Sequence, residues 1–316
     1  MATPQSISRR AALAAGLSDT DLHRLCRHGL WHRLRAGHYL PAPAAAVPAP
    51  ERHRLLVHAT VASASDSAVV SHVSAAVLHG LPVWRLRLDR AHLTRNRRNG
   101  GRRGTRLMVH SALLEPAEIT VVDGVRCTTV ARTLIDLART EPFEQSVVCG
   151  DGALRRGSAT GAQLRDQLRR LDNRPGHRNA AAVVRFLDRR AESVGESRSR
   201  VVLRQAGFPP PELQARILSP EAGFVARVDF LFPNIGVIGE FDGDPPGCTL
   251  PRRSPGSGSA AAEHRETRLR ELGWAVARWT WDELDEPGLV ARRIETAAAQ
   301  ALGKQRSGRW LPSPRR

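Results

Sequence analysis

The sequence predicts a mixed chain, α/β in class and α+β overall, with more than one domain. Three observations support this. The chain has 316 residues, enough for two domains. Its apolar residues follow helical spacing in some stretches and strand-like alternation in others. Its charge is also uneven. Residues 1–190 hold 30 of the 48 Lys and Arg residues but only 15 of the 31 acids, so most of the formal +17 lies in the first part. Lys304 is the single lysine, so the positive charge is almost entirely guanidinium. Such an excess points to a polyanionic partner. There is no apolar run of membrane length and no signal-peptide pattern. The four cysteines (Cys26, Cys127, Cys149, Cys248) lack the paired spacing of a zinc site or a disulfide framework. A cytoplasmic protein with no membrane partner is expected.

Residues 1–45 read as a small DNA-binding module, a helix-turn-helix followed by a wing. Ser8 can cap a short helix through Ala15, and Gly16 makes the turn. Ser18 caps a second helix, with Asp19 and Asp21 in the first turn where acids suit the helix dipole. Leu22, Leu25 and Cys26 share one face, while Thr20, His23, Arg24, Arg27 and His28 lie largely on the other. Residues 31–40 form a two-stranded wing turning at Gly37 and carrying Arg33 and Arg35. A basic helix face of this size can enter the major groove of double-stranded DNA and touch phosphates. The plainer alternative is a solvated basic face.

Residues 41–50 read as a Pro/Ala linker, then 51–64 and 71–79 as helices. Strands are expected at 90–94 and 106–110, joined by a basic loop over 95–104 that can contact phosphate oxygens. His72 and His79 are seven residues apart and share a helix face, but no third ligand is spaced with them, so they read as a structural pair. Ser71, His72 and Asp66 have no nucleophile context. Residues 129–138 form a helix burying Val130, Leu134 and Leu137, with Arg132 and Asp136 as an ordinary helix pair. Further helices run to about residue 170. Residues 171–190, with Pro175-Gly176, read as an interdomain linker.

The second part is organised around residues 225–243. Val225–Phe232 and Val237–Asp242 read as two strands joined at Pro233-Asn234. Side chains alternate along a strand, so Glu240 and Asp242 share a face, and Asp229 projects from the middle of the partner. Carboxylates gathered among apolar residues need a positive partner. A magnesium or manganese ion is one solution, since hard oxygen ligands suit it. The alternative is that these acids cap turns or pair with arginine.

Two resemblances extend these readings. The winged module, with Ser71-His-Val-Ser-Ala-Ala-Val-Leu-His-Gly-Leu-Pro82 and Thr128-Thr-Val-Ala-Arg-Thr-Leu-Ile-Asp-Leu-Ala138, resembles the AbiEi-type antitoxins of bacterial type IV toxin–antitoxin systems. Glu196, Asp229, Glu240 with Asp242-Gly243, the run Arg265–Trp274 and Val276–Trp281 together resemble the PD-(D/E)xK nuclease superfamily. The branch is the one related to very-short-patch-repair endonucleases. The resemblances imply an AbiEi-like α/β region over 51–170 and a restriction-endonuclease-like α/β domain with a central mixed sheet over 191–302. The implied activity is magnesium-dependent hydrolysis of DNA phosphodiesters. Asp229 and Glu240 would be the metal ligands, Glu196 and Asp242 would complete the catalytic set, and Arg265 would stabilise phosphate charge. The alternative is a regulator or antitoxin, with a cognate toxin as partner and a nuclease fold that no longer cuts.

The sequence departs from the nuclease pattern at two places. Asp242 stands where active members often carry a lysine that positions the attacking water. Residues 244–262 are Pro/Gly/Ser-rich and read as a disordered insert. His264 follows as an exposed helix-start histidine or a general acid–base. The basic tail over 303–316 is expected to be disordered, and Trp274, Trp279 and Trp281 to be core.

Overall fold

The computed structural model describes residues 5–43, 46–65, 67–97, 100–171, 174–243 and 260–313, and its chain divides into two compact units. Both mix helices with sheets, as expected for an α/β chain. Unit one comprises 1–149 with 158–185, and unit two comprises 150–157 with 186–316. Asp66 and residues 244–259 lie outside the described residues. No described helix is long and apolar enough to cross a membrane.

Unit one opens with β1 (Ile7–Ser8), α1 (Arg9–Ala14), α2 (Asp19–Arg27), β2 (His32–Arg35) and β3 (His38–Leu40). Ser8 caps α1 through a 3.1 Å bond from the Ala11 N–H, and Ser18 with Asp21 forms a capping box on α2. Gly37 takes φ 76 at the β2–β3 turn, a value that favours glycine. The strands order β1-β3-β2. Ala12, Leu22 and Tyr39 form the small core beneath, with Ile7, Leu17, Cys26 and Trp31 packed around it. Two short helices and a two-stranded hairpin thus follow one another in the order expected from the sequence.

Next come α3 (Ala49–Val61), β4 (Ala68–Val70), α4 (His72–Leu78), β5 (Ala91–Asn96), β6 (Arg102–Arg103), β7 (Leu107–Ala112), β8 (Ile119–Val122) and β9 (Val125–Thr128). Helices α5 (Val130–Thr140), α6 (Phe143–Arg155), α7 (Gly161–Arg170) and α8 (His177–Phe186) follow, α6 ending in unit two. The sheet runs β6-β7-β5-β4-β9-β8, with β5–β7 and β4–β9 parallel and the other pairs antiparallel. Helix α4 is apolar almost all round and buried along its whole length, as such a pattern requires.

Three sequence expectations need correction here. Residues 41–50 are not a bare linker: Val47 is 4% exposed and packs with Leu34, Leu40 and Leu55, because its isopropyl group closes an apolar gap. The 171–190 stretch contains α8, whose Ala180 and Val183 are buried, so apolar spacing at i and i+3 overrides the Pro-Gly signal. Arg132 and Asp136 are far from an ordinary surface pair. Both are 1% exposed, and Arg132 donates to Asp136 at 3.0 Å and to Glu118 at 3.0 and 3.1 Å, while Gln167 also donates to Glu118.

Unit two holds α9 (Val194–Gln205), β10 (Glu212–Leu218), β11 (Phe224–Phe232), β12 (Val237–Phe241), α10 (Ala260–Glu271), β13 (Ala275–Trp279), α11 (Leu289–Ala301) and β14 (Arg309–Leu311). The sheet orders β13-β12-β11-β10-β14 and is mixed, with only β12–β13 parallel. One face buries Phe230, Phe232 and Trp279 with Leu203 of α9 and Val290 and Ile294 of α11. The other buries Val228, Leu231 and Ile238 with Leu269 of α10, Leu272 and Trp274. The three tryptophans are core, as expected. The tail is partly ordered against expectation: β14 pairs antiparallel with β10, which provides hydrogen-bond partners for what would otherwise be a sheet edge. Helix α10 begins at Ala260, inside the stretch read as an insert.

Replacing Arg132 with alanine leaves buried Glu118 without its cation and Asp136 with only Arg139, 3.6 Å away. The variant should lose about 3–5 kcal/mol in urea unfolding, as breaking a buried pair usually costs. A loss below about 1 kcal/mol would show that the network contributes little.

Candidate functional site

Helix α9 is polar in sequence yet mostly buried, with Gly195, Glu196, Ser197, Arg198, Ser199, Arg200, Val201 and Leu203 all inside. Each polar group finds a partner. Trp279 Nε1 donates to Ser199 Oγ at 2.7 Å, Arg198 donates to Asp285 at 2.6 Å, and Arg200 pairs with Asp151. Gly195 permits this approach, because a Cβ there would strike the Phe241 ring. Ser193 caps the helix by accepting from the Glu196 N–H at 3.0 Å. Together these contacts bring the Glu196 carboxylate to the sheet.

The sheet changes face where Glu196 meets it. Leu213 belongs to one core, and Ala215 and Ile217 to the other. On the paired strand, Ala226 and Val228 belong to the second core, while Phe230 and Phe232 belong to the first. Both strands thus break their alternation at the level of Gln214 and Asp229, and the ladder passes from Leu213↔Phe230 to Ala215↔Val228 across them. Gln214 takes φ 54, strained for a non-glycine residue. Simple alternation along residues 225–232 does not reveal this inversion, since the sequence shows no glycine or proline to mark it.

The strained residue joins two acids. Gln214 Nε2 donates to Glu196 Oε2 at 2.9 Å and to Asp229 Oδ1 at 3.3 Å. Glu196 Oε2 also accepts from the Glu192 N–H at 2.9 Å, and Asp229 Oδ2 from the Phe241 N–H at 3.1 Å. Among the described residues, no arginine pairs with either carboxylate. Burial, reinforced by Asp229, pushes Glu196 up to about 7. Burial and the nearby Glu240 push Asp229 up to about 6, against hydrogen bonds from Phe241 and Gln214.

The remaining acids of the site are engaged by arginine. Glu240 Oε2 accepts from Arg278 at 3.0 and 3.1 Å, and its Oε1 lies 3.7 Å from Arg265. Asp242 lies 3.6 Å from Arg278, which also binds Glu266. Asp242 is raised by burial, an effect that Arg278 opposes. Arg265 Nε is buried without a hydrogen-bond partner among the described residues. The structure therefore brings Glu196 and mid-strand Asp229 of β11 to the C-terminal end of β12, where Glu240 and Asp242 stand. Among the described residues, however, Glu196, Asp229 and Glu240 do not present three oxygens within 4.8 Å of one another. Glu266, Arg278 and Gln214 belong to this site and were not singled out by sequence reasoning. The sequence signals available were the position of Glu266 directly after Arg265 and of Arg278 within the Val276–Trp281 run; the pairing of Arg278 with Glu240 comes from the parallel register of β12 and β13.

In the winged module, Thr20, His23, Arg24, Arg27, His28 and Arg33 are exposed. Arg24 pairs with Asp21 at 2.8 Å, and Asp19 with Arg9 at 2.7 Å. Arg35 departs from the expected phosphate role. Its Nη1 donates to the Ala59 carbonyl at 3.1 Å and to Ser63 Oγ at 2.7 Å, so it fastens the wing to α3. His79 is not paired with His72; its Nε2 lies 2.8 Å from the Thr128 carbonyl. His72 instead meets His92 and His110. His264 is exposed.

No family model matches the chain. The uncharacterized protein Rv2248 of Mycobacterium tuberculosis (strain H37Rv) is 30% identical over 189 residues, 60% of this chain and 66% of that protein. The uncharacterized protein MT2308 of strain CDC 1551 gives the same figures. This chain thus spans just under two thirds of the relatives it matches. Among solved structures, the RV2827C protein of Mycobacterium tuberculosis aligns with a TM-score of 0.37 and 17% identity, covering 69% of this chain and 85% of that one.

Glu196 and Asp229 bind protons more tightly when folded than in the unfolded chain, whose ordinary values are 4.5 and 3.8. Their contribution to stability is therefore full below that range and is lost as pH rises toward about 7. In chelator, unfolding free energy should fall over this window, and Glu196→Gln should flatten the fall. Parallel curves for wild type and variant would show that the pair is not strained by charge.

Proposed function

We propose that this chain is a DNA-binding protein whose second unit is a magnesium-dependent phosphodiesterase of the PD-(D/E)xK kind. The observation that carries this reading is the unmatched acid pair. Buried Glu118, Asp136, Asp151 and Glu240 each meet an arginine, whereas Glu196 and Asp229 are held together by one amide. Two desolvated carboxylates facing each other favour an added cation. The donor chemistry fits a hard divalent ion, with Asp229 and Glu240 as ligands and Glu196 and Asp242 completing the set. Bound there, magnesium or manganese would supply positive charge to a phosphoryl oxygen and lower the pKa of its water.

The protein's own groups supply the rest. Gln214 orients both unmatched carboxylates. Arg265, whose Nη2 lies 3.7 Å from Glu240, would stabilise charge on the phosphate. Arg278 holds the orientation of Glu240 and Asp242. Duplex affinity is assigned to the exposed face of α2 with Arg33, in the manner of AbiEi-like winged modules, through phosphate contacts. No disulfide joins Cys26, Cys127 and Cys149 among the described residues, which suits a reducing cytoplasm.

One observation favours a second reading. Arg278 already neutralises Glu240, and the three principal carboxylates are not gathered around a single point. On this reading the fold no longer cuts, and the chain is a transcriptional regulator or an antitoxin with a cognate toxin.

Cleavage of plasmid and short duplex DNA with magnesium or manganese separates the two. The nuclease reading expects metal-dependent cutting that drops by about 10²-fold or more in both Asp229→Ala and Glu240→Ala. Intact duplex binding without cutting would overturn it in favour of the regulator. Arg27→Ala and Arg33→Ala should each weaken duplex binding alike for all sequences and lower the salt slope by about 1. Arg35→Ala should instead lower stability, leaving that slope unchanged in the folded fraction.

A further inference from the structure

Unit one contains a second cluster of ionisable groups, remote from the carboxylates in sequence and different in chemistry. His72 stands in the first turn of α4, His92 on β5 and His110 on β7. Strands β5 and β7 are parallel, with His92 opposite Met108 and Thr94 opposite His110. The two histidines are therefore diagonal neighbours on one face, within reach of each other across the ladder. His72 comes down onto that face. Its ring stacks on His110 with centroids 3.6 Å apart, and His92 lies 5.2 Å from His110 and 6.0 Å from His72.

The nitrogens are as close as the rings. His92 Nδ1 and His110 Nε2 are 3.1 Å apart, and one nitrogen from each of the three rings falls within 4.8 Å of the others. Two imidazoles bound to one tetrahedral ion at 2.0–2.1 Å would hold their nitrogens about 3.3 Å apart. The His92–His110 separation is close to that edge. We propose that His72, His92 and His110 form a site for one divalent d-block cation of the zinc class.

Three further observations support it. His72 takes φ 51, a left-handed value costly for a histidine and tolerated where the surroundings enforce it. Its Nδ1 lies 2.9 Å from Ser71 Oγ, which also accepts from Thr94 Oγ1 at 2.7 Å. A proton on Nδ1 directed at that hydroxyl leaves Nε2 with its lone pair, the arrangement that ligating histidines use. Finally, the rings stay unprotonated, as ligands must. Burial lowers all three, His72 well below its ordinary value, His92 to about 3 and His110 to about 4.

The charged neighbours act in the same direction. His72 faces Arg132 and Arg139, and His110 faces Arg139. His92 faces His53 and Arg90, with Asp89 opposing. Glu118 and Asp136 offset Arg132, which limits its repulsion of a bound cation. His92 and His110 are half-buried, so water or an anion can complete the coordination from the open side.

The test uses the full chain after chelator treatment, titrated with cobalt(II) and then zinc. Cobalt should give the visible absorption of a tetrahedral site, zinc should displace it, and zinc should raise the melting temperature. His92→Gln and His110→Gln should abolish the absorption. His72→Asn, which tolerates the left-handed backbone, should weaken binding at least about tenfold. Asp229→Ala should leave it intact, which separates this site from the carboxylates. X-ray absorption of the zinc-loaded wild type supplies a readout that needs no variant, and should show three imidazole ligands. No cobalt spectrum in the wild type, a spectrum that survives both glutamine variants, or fewer than three imidazoles on zinc would overturn the assignment.

Discussion

Guanidinium–carboxylate matching in the interior is the constraint on which both units depend. A chain with nearly all its positive charge on arginine carries planar, multi-donor cations that can be buried when a carboxylate meets them. Arg132 between Glu118 and Asp136, Arg200 against Asp151, and Arg278 across Glu240 and Glu266 are all arrangements of this kind. A buried pair adds little net stability over apolar packing, but it is intolerant of losing one member. The arginines therefore specify where α5, α9 and β13 can settle.

Against that background, Glu196 and Asp229 stand out. Their partners are a carboxamide and two backbone N–H groups, none of which carries charge. The strain that places them together is local. Gln214 adopts a left-handed backbone, and both strands exchange faces at its level. Strain of this sort persists where the surrounding packing over-determines it, and here that packing includes Trp279, Phe230 and the close approach of α9 at Gly195.

Much of the element pattern was legible in the chain. Capping residues marked α1 and α2, and the 225–243 stretch announced its two strands. The apolar pattern located α3, α4 and α5 within a few residues. What stayed hidden shares one cause, since the deciding partner is far away in sequence. Arg35 looks like a wing cation until Ala59 and Ser63 take up its donors. His72 looks paired with His79 on a helix, but the parallel register of β5 and β7 offers His92 and His110 instead. The 303–316 tail looks unstructured because three residues of strand carry almost no local signal, yet β10 has an edge to offer.

By itself, then, the sequence determined the mixed class, the charge asymmetry, the capped helices and which carboxylates lie on neighbouring strands. These follow from interactions within a few residues of each other, namely turns, caps and alternation. Tertiary structure alone decided which charges are neutralised, which acids stay unmatched and which histidines meet. Those outcomes depend on register and on the inversion at Gln214 and Asp229, where a shift of one residue sends a side chain to the opposite face.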